Sequence, residues 1–304
     1  MLFSVSENTI TSVSVFDPPL CLYKMITRVK SLIHILCFST NLDIDDEQPR
    51  PHMYLRAHDD TPPHDLLIVT SIEEIKSPLH MVGIEDTGTV YVFDMSCGCI
   101  WAIDTDNNDV KKWLSVLGDV ISLSVTRNNR VLVLIRFHFD SFHLEIYNQE
   151  AKLERNVSLP DYISYAFSAV QKPNGELVFS HRLRAKFGMF VSSLGFDGHV
   201  TNESQLEGAF GWYQVRLFLY SVDNYLVAAE QFSGKIFLLD MKTSKWSRLM
   251  ENLVCNDYFY CDGNKPQFIV ATNSGVEMLT LNITPDGNTE NESQETLLQF
   301  CPAD

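Results

Sequence analysis

A short apolar strand, a tight turn of Asn, Gly and Asp, a second apolar strand and a third closing on another polar turn recur along this sequence. The first turn of each copy reads Asp86-Thr87-Gly88, Arg127-Asn128-Asn129, Pro173-Asn174-Gly175, Val222-Asp223-Asn224 and Asp262-Gly263-Asn264. A period of about forty to fifty residues is that of propeller blades, units that cannot bury their apolar faces alone and must stack on neighbours. No helical periodicity of comparable length competes. The fold expected is therefore all-β: a six-bladed β-propeller of four-stranded antiparallel blades, one domain over residues 1–304.

Residues 119–163 spell out one blade most fully. Ile121–Thr126 is its innermost strand, followed by Val131–Arg136 and Phe142–Tyr147, and Leu153–Leu159 is the outer strand that Pro160 stops. The same grammar places strands at Leu79–Ile84, Val90–Phe93, Ile100–Ile103 and Val110–Leu114, then at Ala166–Gln171, Leu177–Ser180 and Met189–Phe196. Further copies give Val215–Tyr220, Tyr225–Ala229 and Lys235–Leu239, then Phe268–Ala271, Val276–Asn282 and Leu297–Phe300. Leu2–Ser6, Thr11–Phe16 and Cys21–Ile26 read as the outer three strands of a first blade that lacks its innermost one. Residues 31–65, acidic and Pro-rich, read as an irregular, mobile insertion, and residues 284–304 as a polar tail with a candidate closing strand.

Charge narrows the choice of partner. A formal net charge of −16 opposes the phosphate attraction that dominates nucleic-acid affinity, and opposes an anionic membrane surface equally. A cationic partner is electrostatically easier, and no stretch approaches the length of a membrane span. The seven cysteines are scattered, so they read as reduced thiols of a cytoplasmic protein. No secretory leader is expected, and the N-x-S/T sequons at Asn156, Asn202, Asn282 and Asn291 read as chance occurrences. A monomer is expected.

From about residue 119 to 245 the wording resembles the NHL-repeat six-bladed propellers of many invertebrate proteins and of tripartite-motif ubiquitin ligases. The resembling stretches are Ser122-Leu123-Ser124-Val125-Thr126, Leu159-Pro160, Gly175-Glu176-Leu177-Val178-Phe179-Ser180-His181, Gly195-Phe196-Asp197-Gly198 and Leu226-Val227-Ala228-Ala229-Glu230. Two positions depart: Ala229-Glu230 stands where the family has a small residue then Asp, and no Arg follows near Ser233-Gly234. The resemblance implies a binding scaffold for RNA or protein that brings no catalytic residues of its own. Ligase activity does not carry over, because a RING finger or B-box needs clustered Cys/His zinc ligands that this chain lacks.

In a propeller the loops joining second to third strands emerge on one face of the disc. They gather Glu7, Asn8, Asp94, His138, Asp140, His181, Arg182, Glu230, Gln231 and Asn273. Two readings of that face compete with the ordinary polarity of strand ends. Calcium could be held by Glu7, Asp94, Asp140, Glu230 and Asn273, as in lactonase-type propeller hydrolases, whose dispersed ligands leave no local motif. A protein or peptide could instead dock on the aromatic run Phe137-His138-Phe139 and on the basic run from His181 and Arg182 through Arg184 to Lys186. The basic run would also suit an RNA phosphate. Cys97-Gly98-Cys99 reads as a tight turn, with chelation of a soft metal the rival, and the four tryptophans read as packing between blades. No G-x-S-x-G, H-E-x-x-H or phosphate-loop motif occurs. The reading is a non-catalytic scaffold that needs no cofactor and binds a protein or peptide partner on its loop face, with the calcium-dependent hydrolase and RNA binding as alternatives.

Overall fold

The computed structural model describes residues 21–29, 32–39, 51–57, 67–72, 74–126, 128–138, 141–209, 215–220, 225–230, 235–240, 245–250, 257–261, 267–271, 275–280 and 293–299. Among the described residues the strands form six four-stranded sheets, each antiparallel and each in simple chain order, in a propeller arrangement. Side-chain packing is described from Ile72 to Trp246, across the second to fifth sheets.

The first sheet comprises β1 (Cys21–Val29), β2 (Leu32–Ser39), β3 (Pro51–Ala57) and β4 (Leu67–Ser71). The second has β5 (Pro78–Ile84), β6 (Thr89–Asp94), β7 (Cys99–Asp104) and β8 (Val110–Ser115). In the third lie β9 (Asp119–Val125), β10 (Val131–Phe137), β11 (Ser141–Tyr147) and β12 (Leu153–Ser158). The fourth holds β13 (Ile163–Gln171), β14 (Leu177–Leu183), β15 (Phe190–Leu194) and β16 (Val200–Gln205). Then come β17 (Val215–Tyr220), β18 (Tyr225–Glu230), β19 (Lys235–Asp240) and β20 (Lys245–Met250). The last sheet is β21 (Asp257–Cys261), β22 (Gln267–Ala271), β23 (Gly275–Thr280) and β24 (Ser293–Gln299).

Three expectations about the ends need correction. Cys21 opens the first strand of a complete four-stranded sheet, and that strand lies beside both β5 and β21, so it is an inner strand and not the outer edge of a defective blade. Leu2–Ser6 and Thr11–Phe16 lie outside the described residues. The segment 31–65 is not an irregular insertion throughout, since β2 and β3 fall within it; Leu32–Ser39 is apolar at nearly every position and pairs on both sides. The strand in the polar tail, β24, completes its own sheet against β23 and does not close the first.

Sequence pattern follows position in the sheet. The second strands are sandwiched between neighbouring sheets, so Val131 to Ile135 are buried without interruption. Alternate side chains then serve different cores: Val131, Val133 and Ile135 meet Tyr91, Phe93 and Trp113 of the second sheet, whereas Leu132 and Leu134 meet Ile163, Ala166 and Phe179 of the fourth. Strand β14 repeats the device, with Leu177 and Phe179 on one side and Val178 on the other against Val215, Leu217 and Phe237. Burying one such aliphatic side chain contributes roughly 1.5–3 kcal/mol. The fourth strands face solvent on one side and are accordingly polar; in β16 no residue of Val-Thr-Asn-Glu-Ser-Gln is buried.

Several polar groups bridge neighbouring sheets. Ser124 donates its hydroxyl to the Ala169 carbonyl at 2.8 Å, and Ser180 donates to the Val215 carbonyl at 2.6 Å. The Leu217 amide donates to Ser168 Oγ at 3.1 Å. The hairpin turns share one form, in which a single left-handed residue closes the hairpin: Asn129 at φ 57°, Ala151 at 61°, Gly175 at 87° and Gly198 at 82°. At Gly175 a side chain would also collide with the Phe196 ring, whose Cζ would lie 2.5 Å from an added Cβ.

Candidate functional site

Because every sheet is an antiparallel meander, the connections from second to third strand share one face with the connections between sheets. Among the described residues that face carries 94–99, 115–119, 137–138, 141, 159–163 and 183–190 from the second, third and fourth sheets. Its loops are tied down by backbone bonds: Met95 N–H to Ser77 O, Val116 N–H to Gly98 O, and Arg184 N–H to Tyr162 O, at 2.9, 2.9 and 3.0 Å. Gly118, at φ 126°, lets the loop after β8 cross β10 so closely that an added Cβ would sit 2.7 Å from the Arg136 carbonyl oxygen.

The centre of this face is a stack of cations and rings. Arg136 pairs with Asp119 at 2.6 Å and lies 5.6 Å from the centroid of Tyr165. Arg182 approaches the same ring at 5.7 Å and the Phe167 ring at 5.0 Å. Tyr165 and Phe167 touch at 4.8 Å between centroids. Burial lowers the pKa of Arg182, opposed by the nearby Tyr165, and aromatic faces supply the attraction that an Arg so placed needs. Beyond the stack lies a cleft of about 350 Å³ lined by Ser164, Arg182, Arg184, Lys186, Phe187 and Gly188 among others.

The predicted site residues are only partly brought together. Arg182 and Arg184 share the cleft. His181 was expected on a loop, but it sits inside β14 with no exposed surface; Nε2 meets Ser192 Oγ at 2.7 Å and Nδ1 is buried without a hydrogen-bonding partner. Its ring stacks on Phe179 at 4.8 Å, and burial pushes its pKa down to about 4. With no exposed surface, His181 is part of the packing beneath the loops and presents nothing at the face. Phe137 ends β10 half-buried with its ring edge-on to His143 at 4.8 Å, and His138 is exposed at a left-handed turn position, φ 55°. Phe139 lies outside the described residues.

Of the candidate calcium ligands, the described residues include Asp94, in the second sheet, and Glu230, in the fifth. Asp94 is fully buried, and its carboxylate accepts the amides of Lys76, Ser77 and Ser96 at 2.9–3.0 Å and the Ser96 hydroxyl at 2.7 Å. Burial alone would raise its pKa; the bonds from Lys76, Ser96 and Ser77 outweigh that and hold it below the usual carboxylate range. Asp94 thus fastens the loop entering β5. Glu230 is fully buried at the end of β18, opposite Val215 and Lys235. Glu7, Asn8, Asp140, Gln231 and Asn273 lie outside the described residues. Among the described residues no group of three or more His, Cys, Asp or Glu side chains is placed to hold a metal ion.

Cys97 and Cys99 are bonded to each other, which corrects the expectation of reduced thiols at these two positions. Gly98 at φ 56° folds the turn so that their Cα atoms stand 5.2 Å apart, within disulfide reach. Sequence reasoning missed Arg136, Tyr162, Tyr165, Phe167 and Phe187. The available signals were Arg136 where the apolar run of β10 ends, and Tyr162 after Pro160-Asp161 in a loop.

No protein-family model matches this sequence, and no curated protein sequence does. Solved structures share the fold. The chain is similar to one in the crystal structure of a nidogen/laminin complex, with TM-score 0.57 and 12% identity over 88% of this chain and 92% of that one. It is similar to streptogramin B lyase, with TM-score 0.60 and 10% identity over 92% and 85% of the two chains. Hydrazine synthase of Kuenenia stuttgartiensis gives TM-score 0.57 and 12% identity over 90% and 80%. At such identities the likeness establishes a β-propeller and carries no activity with it.

Proposed function

We propose that this chain is a six-bladed propeller of NHL type and acts as a non-catalytic scaffold, binding a protein or peptide partner on the loop face of its third and fourth blades. One observation carries the reading. Of the seven exposed large apolar side chains among the described residues, Met95, Leu117, Tyr162 and Phe187 belong to the connections of the loop face and Leu79 lies near the start of β5 at the same end of the sheet, whereas Leu153 and Phe196 do not. Exposed apolar groups gathered on one face within a polar rim mark an interaction surface. A chain of the nidogen/laminin complex, a protein assembly by its name, has a similar fold.

Within that face Phe137, His138, Phe139, Arg182 and Arg184 are the contact residues of this reading, and His181 packs beneath the loops. Arg182 and its two rings form a pre-organised anchor, which limits the ordering cost of binding. Replacing Phe137, Phe139 and Arg182 together by Ala is expected to abolish capture of the partner by the full chain while leaving its melting temperature within a few degrees. Retained capture overturns the assignment.

A further inference from the structure

We propose that Cys97 and Cys99 form a thiol–disulfide exchange site on the loop face, an activity separate from partner capture, in which Cys97 is the sulfur attacked and Cys99 the sulfur released. Cys97-Gly98-Cys99 closes the connection from β6 to β7, and its two cysteines are bonded. Burial divides their roles. Cys97 is exposed in the loop, whereas Cys99 opens β7 with no exposed surface, in register between Asp94 of β6 and Ser115 of β8. An incoming thiolate therefore reaches the first sulfur and is kept from the second. The bond spans a sequence separation of 2, and so short a loop restrains the unfolded chain far less than a long one would. Opening it takes little stability from the fold.

Other bonds hold the loop while the sulfurs part. The Met95 amide donates to the Ser77 carbonyl, the Ser96 amide to Asp94 Oδ1 and the Val116 amide to the Gly98 carbonyl, each at 2.9 Å, so both ends of the turn stay where they stand. Gly98 keeps the left-handed backbone that sets the two Cα atoms 5.2 Å apart, within reach for the bond to re-form. Cys97 Sγ lies 3.6 Å from the Asp94 carbonyl oxygen, an acceptor for its S–H in the reduced form. The exchange runs in two steps. A thiolate attacks Cys97 Sγ; a new S–S bond forms there, the Cys97–Cys99 bond breaks, and the electron pair leaves on the Cys99 sulfur, which takes up a proton. A second thiolate then attacks the incoming sulfur of this mixed disulfide and frees Cys97. The protein pair gains two electrons, and the two thiols leave oxidised as their own disulfide. Until the second thiol arrives, Cys99 can return to Cys97 and expel the first, which makes the buried sulfur the resolving group. The substrate is thus a thiol, borne by a peptide cysteine or by a small molecule such as glutathione. Met95, two positions before Cys97, and Leu117, next to the Val116 that bonds Gly98, are both exposed and would meet the apolar neighbours of a peptide cysteine.

The test uses the full chain, with thiols captured by N-ethylmaleimide and read by mass spectrometry of the tryptic peptide 77–111, which holds Cys97 and Cys99 and no other cysteine. Across graded ratios of reduced to oxidised glutathione, this peptide is expected to pass reversibly between disulfide and dithiol while the melting transition of the protein is retained. Given oxidised glutathione, Cys99→Ala is expected to accumulate a mixed disulfide on Cys97, and Cys97→Ala at least ten-fold less on Cys99. A cysteine peptide flanked by Leu is the second probe: opening of the bond faster than by glutathione assigns the site to peptide thiols, and equal or slower opening assigns it to small ones. Should Cys99→Ala fail to fold, fragmentation of the 77–111 peptide from the unaltered chain shows which sulfur carries glutathione. A bond that stays closed at every glutathione ratio, equal labelling of the two sulfurs, or loss of the melting transition on reduction overturns the proposal. The capture test on Phe137, Phe139 and Arg182 reads none of these quantities, so the scaffold reading and this one can fail separately.

Discussion

Trp113 donates its indole Nε1–H to the carbonyl oxygen of Gln149 at 2.7 Å, joining the outer strand of the second sheet to the β11–β12 turn of the third. The same ring packs edge-on to Tyr91 at 4.6 Å and to Tyr147 at 5.9 Å. Trp246 makes a different link between sheets, donating from the outer strand β20 back to Ser204 Oγ of the outer strand β16 at 3.1 Å. Replacing Trp113 by Phe keeps most of the apolar contact and removes the bond, so a loss of about 1 kcal/mol is expected in urea unfolding. Trp113→Ala adds a cavity at the seam and is expected to cost about 3–5 kcal/mol. Equal costs for the two variants would show that the bond, not the ring, holds the sheets together.

Gly118→Ala is expected to destabilise the loop face. Its backbone conformation excludes ordinary side chains, and the group an added Cβ would strike is the Arg136 main chain, which cannot rotate away. A cost of about 1–3 kcal/mol follows, read as a fall in melting temperature. Gly175→Ala meets only the mobile end of Phe196, so it is expected to cost less. The reverse order would refute the steric account.

Acid should weaken the fold through His181. Its folded pKa of about 4 lies below the ordinary value of 6.5, so the unfolded chain binds the proton first. Stability is therefore full above pH 6.5, declines as pH falls toward about 4, and levels below that, with a total change of about 3 kcal/mol at most. His80, lowered to about 3 by burial and then by Arg216, acts in the same direction. His181→Gln is expected to flatten part of the slope between pH 6.5 and 4 in urea titrations, and an unchanged slope would remove His181 as its source.

Asp94→Asn leaves one acceptor oxygen where two served four donors. A loss of about 1–3 kcal/mol is expected by denaturant unfolding. Because both oxygens are occupied by the chain itself, the melting temperature of the unaltered protein is expected to be indifferent to added calcium, as a ligand bound only by the native state would raise it. A calcium-dependent rise would revive the hydrolase alternative.

The propeller was legible because two periodicities coincide: β-branched and aromatic strands, and turns whose Asn or Gly takes the left-handed conformation. Strands β5 to β19 lie where the alternation places them, with β16 beyond its reach. That strand and β20, Lys245–Met250, were hidden by polar composition, since an outer strand needs few apolar residues. The site was less legible for a different reason. Which end of a strand a polar residue occupies is readable, but whether it points into the loop face or into the protein is not. Asp94 and His181 hold equivalent places, each ending the pairing of a second strand with its third, and both are buried, one saturated by amides and a hydroxyl and the other stacked on Phe179. The pairing of Arg182 with Tyr165 and Phe167 crosses two strands, and no local spacing encodes it.

A strand that feeds two cores has a consequence for how this protein can be broken. Since β10 gives Val131, Val133 and Ile135 to one neighbour and Leu132 and Leu134 to the other, a cut between any two of the second to fourth sheets strips an apolar layer bare. No stretch of this region can be excised as a soluble fragment, and a protease that severs one connecting loop should leave the pieces clasped together until the whole disc gives way.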